Sequence, residues 1–193
     1  MKVLFFDLET TGVMPNKHGI HQLSGEIMIN GETKEKFDFK VRPNPKCEIT
    51  QEALSIAGVT LEQVMAYPPM EYVFPQFISM LDKYVDRFDR KDKIFLAGYN
   101  NASFDNNFLR GWFLQNGDKY FGSWFWSNSI DIMVLATPYL ADRRSKMINF
   151  KQGTVAKELG IEVDDSKLHD AMYDIQICRA IYDIVSKPKT EIK

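Results

Sequence analysis

The chain opens on an apolar, β-rich run, residues 2–8, that turns acidic at Asp7 and Glu9. A run this short and apolar reads as a buried strand, which commits the chain to a sheet. Strand periodicity then sends both acids to the same face, about 7 Å apart along the strand. Two carboxylates so placed repel each other unless positive charge lies between or above them. A hard divalent cation, which prefers oxygen ligands, would answer that cost. Taken alone, Asp-x-Glu also describes the solvated end of a strand.

Thr10-Thr11-Gly12 closes this strand, and 14–19 is a polar loop. Residues 21–29 and 35–41 read as two further strands around Asn30-Gly31, a strong hairpin signal, with room for a longer loop over 31–34. Thr50 is a plausible N-cap for a helix over 51–57 stopped by Gly58, and Thr60 for a short helix to about Met65. Val73, Phe74, Phe77, Ile78, Leu81 and Val85 give helical spacing over 71–88, with Pro75 in its first turn. Residues 93–99 and 129–135 read as strands, 104–114 and 154–159 as helices, and 171–185 as a last long helix. Three strands, then alternating helices and strands, then helices, is an α/β pattern with a mixed sheet.

A length of 193 residues suits a single domain, expected over 1–186, with a charged tail over 187–193. No apolar run approaches the roughly 20 residues that span a bilayer. Asp7 and Glu9 interrupt the core a signal peptide would need, so no membrane partner and a cytoplasmic location are expected. Cys47 and Cys178 are far apart and in no metal-like spacing, which reads as two free thiols. A net charge of −2 argues against a large sequence-independent grip on duplex nucleic acid. It leaves room for an enzyme that holds a few nucleotides of a strand end.

Two further acidic elements follow. Asp105 sits just after a strand and at the start of a helix, where a helix dipole alone would favour it. Asn100-Asn101 before it could supply amide contacts to a phosphate or base. Asp174 lies in the last helix; at about 100° per residue, a helical His169 would be well off its face. His169 is therefore expected in the loop or first turn, free to swing toward a substrate. Alone, it would also pass as a surface residue near a helix start.

Three segments now stand in order: Phe6-Asp7-Leu8-Glu9-Thr10-Thr11-Gly12, Asn101-Ala102-Ser103-Phe104-Asp105, and His169 to Asp174 with four residues between. Together they resemble the DEDDh exonucleases, the DnaQ-like relatives of polymerase proofreading subunits, over residues 1 to about 185. Glu52-Ala53-Leu54, Gly58-Val59-Thr60, Asp131-Ile132-Met133-Val134-Leu135-Ala136 and Leu159-Gly160-Ile161 match as connecting pieces. A sister group carries tyrosine four residues before the last aspartate, where this chain has Asp170, so the histidine version fits. One departure is Asn100, where relatives often carry histidine.

The resemblance implies a ribonuclease-H-like fold, a five-stranded mixed sheet with the first three strands antiparallel, flanked by helices. It implies that Asp7, Glu9, Asp105 and Asp174 ligate two divalent metal ions, Mg²⁺ or Mn²⁺, with His169 as general base. An imidazole, with an ordinary pKa near 6.5, suits that task at neutral pH. Leu8, Thr10, Thr11 and Gly12 would lie beside the terminal nucleotide, joined by Asn101 and by Phe104, for which a place in the core is the alternative. The implied reaction is 3′–5′ hydrolysis of a single strand, DNA favoured over RNA, releasing nucleoside 5′-monophosphates. The implied partners are single-stranded 3′ ends and, for a proofreading subunit, a DNA polymerase; a module that binds without cutting is the competing expectation. Arg143, Arg144 and Lys146 suit strand-backbone contacts or a solvated turn equally. Trp124 to Trp126 are the best candidates for stacking on bases, with core packing expected for most of the aromatics between 112 and 126.

Overall fold

The computed structural model describes residues 1–167 and 170–187. Five strands form one mixed sheet: β1 (Lys2–Thr10), β2 (Ile20–Ile29), β3 (Glu32–Lys40), β4 (Phe95–Gly98) and β5 (Ile130–Asp131), in the order β3-β2-β1-β4-β5. The first three are antiparallel, and β4 and β5 run parallel to β1. The α/β class, the mixed sheet and its flanking helices agree with the expectation. Asn30 (φ 53°) and Gly31 (φ 89°) make a two-residue hairpin loop, tighter than the sequence required. Both sit in the left-handed region that such a turn demands.

Eight α-helices complete the described part: α1 (Gln51–Ile56), α2 (Leu61–Ala66), α3 (Met70–Asp82), α4 (Asp105–Gln115), α5 (Phe121–Trp124), α6 (Ile132–Tyr139), α7 (Gln152–Glu158) and α8 (Ala171–Val185). Thr50 accepts a hydrogen bond from the Ala53 N–H, and Thr60 closes a capping box with Gln63. Side chains alternate across β1 and divide the core in two. Leu4, Phe6 and Leu8 pack with Phe77 of α3 and Trp112 and Phe113 of α4. Val3 and Phe5 pack with Ile132 of α6, Val155 of α7 and Ile175, Cys178 and Ile181 of α8. Arg179 fastens α8 to the hairpin by pairing with the buried Glu26 and donating to the Gly31 carbonyl at 3.2 Å.

Three expectations are corrected. The strand over 129–135 shrinks to two residues, because the Asp131 carboxylate accepts from the Met133 and Val134 N–H groups and starts α6 there. The helix over 71–88 ends at Asp82, and Pro75 falls in its second turn rather than its first. Lys2 donates to the Tyr84 carbonyl at 2.6 Å and Asp92 accepts from the Asp86 N–H at 2.9 Å, which turns the chain back toward β1. Among the aromatics, Trp124 and Phe125 are fully enclosed in the core. Trp126 packs on Phe95 beneath Lys93. Phe95 pairs with Val3, about 13 Å along the sheet from Asp7. Trp124 and Phe125 are therefore core, while Trp126 is half-buried.

Candidate active site

The acids gather at the C-terminal end of β1, where β4 also ends. Asp7 and Glu9 share a face with Val3 and Phe5, so they look toward α8, which presents Asp174 from its first turn. Asp7, Asp174, Tyr99, Gln152 and Cys178 line one narrow crevice. Gln152, at the start of α7, donates to the Asp174 carbonyl at 2.8 Å and reaches its carboxylate at 3.4 Å. Asp105 enters from the other side as the first residue of α4 and is 6% exposed.

The charges report on one another. Burial, then Asp174, pushes the Asp7 carboxyl up to about 7. Burial, then Asp7 and Asp174, lifts Glu9 to about 8, and Lys40 opposes the rise. Asp105 is raised well above the usual carboxylate range by burial and by Asp7 and Glu9, with the backbone N–H groups of Asp105 and Leu8 pulling the other way. Below them the Cys178 thiol is pushed up by burial and by Asp7, Asp105, Asp131 and Asp174. An all-oxygen set that resists ionising when crowded suits a hard divalent cation. Among the described residues no three such side chains close into a ready-made cage. The array is open, as it must be if water and phosphate oxygens are to complete the coordination.

Beside the acids lies a cleft of about 580 Å³ lined by Leu8, Glu9, Thr10, Gly12, Phe104, His18, Glu48, Glu52 and Ile56 among others. Its volume falls in the range of small-molecule sites. Phe104 packs its ring on Phe108 at 5.0 Å and also lines the cleft. Gly12 lies flat against the His18 ring, and a Cβ there would stand 2.3 Å from it. The Met14 N–H donates to His18 Nδ1 at 3.0 Å and fixes that ring beneath Gly12.

Two candidates have fully buried side chains. Thr11 is fully buried, donating to the Glu48 carbonyl at 2.6 Å and accepting from the Gly19 N–H at 2.9 Å. Asn101 is fully buried with its amide on Asn106 Oδ1 at 3.2 Å. These bonds tie each side chain to the neighbouring loop or helix. His169 lies outside the described residues. Arg143 donates to the Glu158 carbonyl at 2.8 Å and Arg144 stacks on Phe150, both exposed, with Arg144–Lys146 forming a single 3₁₀ turn. His18, Gln152 and Asp131 belong to the site's framework and were not legible beforehand, since each acts through a fold-dependent partner.

Residues 4–182 match the family model RNase_T, described as exonuclease. The chain is 27% identical over 177 residues to a PolC-type DNA polymerase III of Mycoplasmopsis pulmonis, covering 92% of this chain and 11% of that protein. It is 26% identical over 178 residues to the PolC-type DNA polymerase III of Staphylococcus aureus, with the same coverage. The chain thus spans about a tenth of the length of these curated relatives. Among solved structures, E. coli exonuclease I in complex with a dT13 oligonucleotide superposes with a TM-score of 0.76 at 22% identity, covering 99% of this chain and 42% of that one. The zinc-bound form of the E. coli exonuclease I complex with single-stranded DNA gives 0.77 at 21% identity, covering 98% and 41%. Among the described residues no helix is long and apolar enough to cross a membrane.

Proposed function

The chain belongs to the RNase_T exonuclease family, and from this membership we propose that it hydrolyses single strands from the 3′ end, favouring DNA over RNA and releasing nucleoside 5′-monophosphates. The observation that carries the reading is the open array of Asp7, Glu9, Asp105 and Asp174, three of whose carboxyls are held above their ordinary range by burial and mutual repulsion. These four residues would hold two divalent ions, Mg²⁺ or Mn²⁺. When bound, such ions supply positive charge to the phosphodiester and to the attacking and leaving oxygens.

The chain's own residues do the rest. Leu8, Thr10 and Gly12 receive the terminal nucleoside in the cleft, with Phe104 as its apolar wall. Thr11 and Asn101 keep the walls in place. His169 takes the proton of the attacking water. Gln152 keeps Asp174 turned toward Asp7. The preference for DNA draws on the single-stranded DNA held by the E. coli exonuclease I structures.

A second reading is a partner-dependent proofreading module, favoured by the share of the PolC-type proteins that this chain matches. Equal-sequence DNA and RNA single strands, incubated with Mg²⁺ and resolved by chromatography, test the choice. Nucleoside 5′-monophosphates appearing faster from DNA support the first reading. Release of 3′-monophosphates or of oligonucleotides contradicts it, and cleavage that begins only when a polymerase is added selects the second.

A further inference from the structure

Asp131 stands outside the four-carboxylate array, yet it is buried and both of its oxygens are engaged with backbone. Oδ1 accepts from the N–H groups of Met133 at 3.0 Å and Val134 at 3.4 Å, an ordinary helix cap for α6. A cap needs one oxygen. Here Oδ1 also accepts from the Asn100 N–H at 3.1 Å, and Oδ2 accepts from the Ala102 N–H at 3.3 Å. Those two donors belong to the turn after β4, where Asn100 holds a φ of 62°.

The turn leads directly to Asp105. Between the two gripped residues, the Asn101 carbonyl accepts from the Asn106 N–H at 2.9 Å and its amide donates to Asn106 Oδ1 at 3.2 Å. Asn106 is the second residue of α4, adjacent to Asp105. On the other side, Gly98 is wedged between Asn101 and the Phe6 carbonyl of β1, with space for no side chain. One carboxylate thus joins β5, α6 and the turn that carries α4, and the turn in turn rests on β1 beside Asp7.

Resting on the nuclease reading above, we propose that Asp131 is a positioning residue: its second oxygen and its bond to Asn100 hold the 100–102 turn so that Asp105 faces Asp7 and Glu9. Asparagine and serine cap a helix about as well as aspartate. The side chain of an Asp131→Asn variant has a single acceptor oxygen, so its amide must turn a donor toward a backbone donor at either the cap or the turn. Asp131→Ser keeps a one-oxygen cap with nothing to reach the turn.

The test uses the full chain. Amide hydrogen exchange across 100–106 is measured beside Mn²⁺ binding by paramagnetic resonance and steady-state kinetics on single-stranded DNA. In both variants we expect exchange at 100–102 to quicken at least tenfold, the Mn²⁺ Kd to rise about fivefold or more, and kcat to fall at least tenfold with KM changed less than threefold. Unchanged exchange overturns the proposal whatever the activity. Faster exchange with wild-type Mn²⁺ affinity and kcat overturns it too, leaving Asp131 a plain cap. So does a lower melting temperature with full activity per folded molecule. If wild-type protein cuts nothing, the nuclease reading fails by itself, while exchange and Mn²⁺ binding still decide the role of Asp131.

Discussion

Replacing Asp7 by asparagine should stabilise the metal-free protein at alkaline pH while abolishing its chemistry. In the folded chain, burial and Asp174 push the Asp7 carboxyl up to about 7 from an ordinary 3.8. The native state therefore holds this proton more tightly than the unfolded state. Stability falls as pH rises from about 4 through about 7, and the loss is complete above that window. At 1.36 kcal/mol per pH unit the full effect is about 4 kcal/mol. Asp7 keeps some contact with solvent at the open cleft, and screening there reduces the expected gain on substitution to about 2 kcal/mol. For a chain of this size that is about 4–8 °C in Tm. The assay is thermal unfolding in chelator at pH 5 and pH 8.5, wild type beside Asp7→Asn. The variant should melt higher at both pH values, with a gap at pH 5 about a third of that at pH 8.5. Adding Mg²⁺ at pH 8.5 should raise the wild type and leave the variant nearly unmoved. A variant that melts below wild type at pH 8.5 in chelator would refute the idea that these acids crowd one another at a cost.

Further outcomes follow from other contacts. Gly12→Ala must displace the His18 ring, so KM for a single strand should rise several-fold and Tm should fall by a few degrees, read by kinetics and melting together. Gln152→Ala releases the carbonyl and carboxylate of Asp174; kcat should fall about tenfold, with Tm lowered by the equivalent of about 1 kcal/mol. Arg179→Ala leaves Glu26 buried with the more exposed Lys36 as its remaining cation, which should cost about 2–3 kcal/mol in a urea titration. His169→Ala, if His169 is the base, should lower kcat by about 10²–10⁴ without changing Mn²⁺ affinity.

Local signals were the legible ones. The hairpin at Asn30-Gly31 and the caps at Thr50 and Thr60 are decided within a few residues, and the structure bears them out. The period of two along β1 likewise separates Asp7 and Glu9 from Leu4, Phe6 and Leu8. The run Ile132-Met133-Val134-Leu135-Ala136 was not decidable this way. An apolar stretch of that length suits a buried strand or a buried helix, and the choice rests on the Asp131 carboxylate. The end of α3 depends on Lys2, some eighty residues away, reaching the Tyr84 carbonyl.

The site shows the same division. Its acids follow from motif order, but the groups that hold them do not. Gln152 and Asp174 are 22 residues apart, and Asp131 meets Ala102 across 29. His18 lies close to Gly12 in sequence, but only the folded loop stacks one on the other. The side chains of Thr11 and Asn101 are buried and hydrogen-bonded to Glu48 and Asn106, contacts that form only in the folded turns after β1 and β4.

That the four carboxylates run a metal-dependent cut from the 3′ end is tested most directly on a labelled strand. Purified wild-type protein and Asp7→Ala should be incubated with 5′-labelled single-stranded DNA, in Mg²⁺, in Mn²⁺ and in chelator. The expected result is a ladder that shortens stepwise from the 3′ end with either metal, absent in chelator and absent in Asp7→Ala. An intact label-bearing strand with pure wild-type protein in both metals, or a ladder that persists in Asp7→Ala, would contradict it.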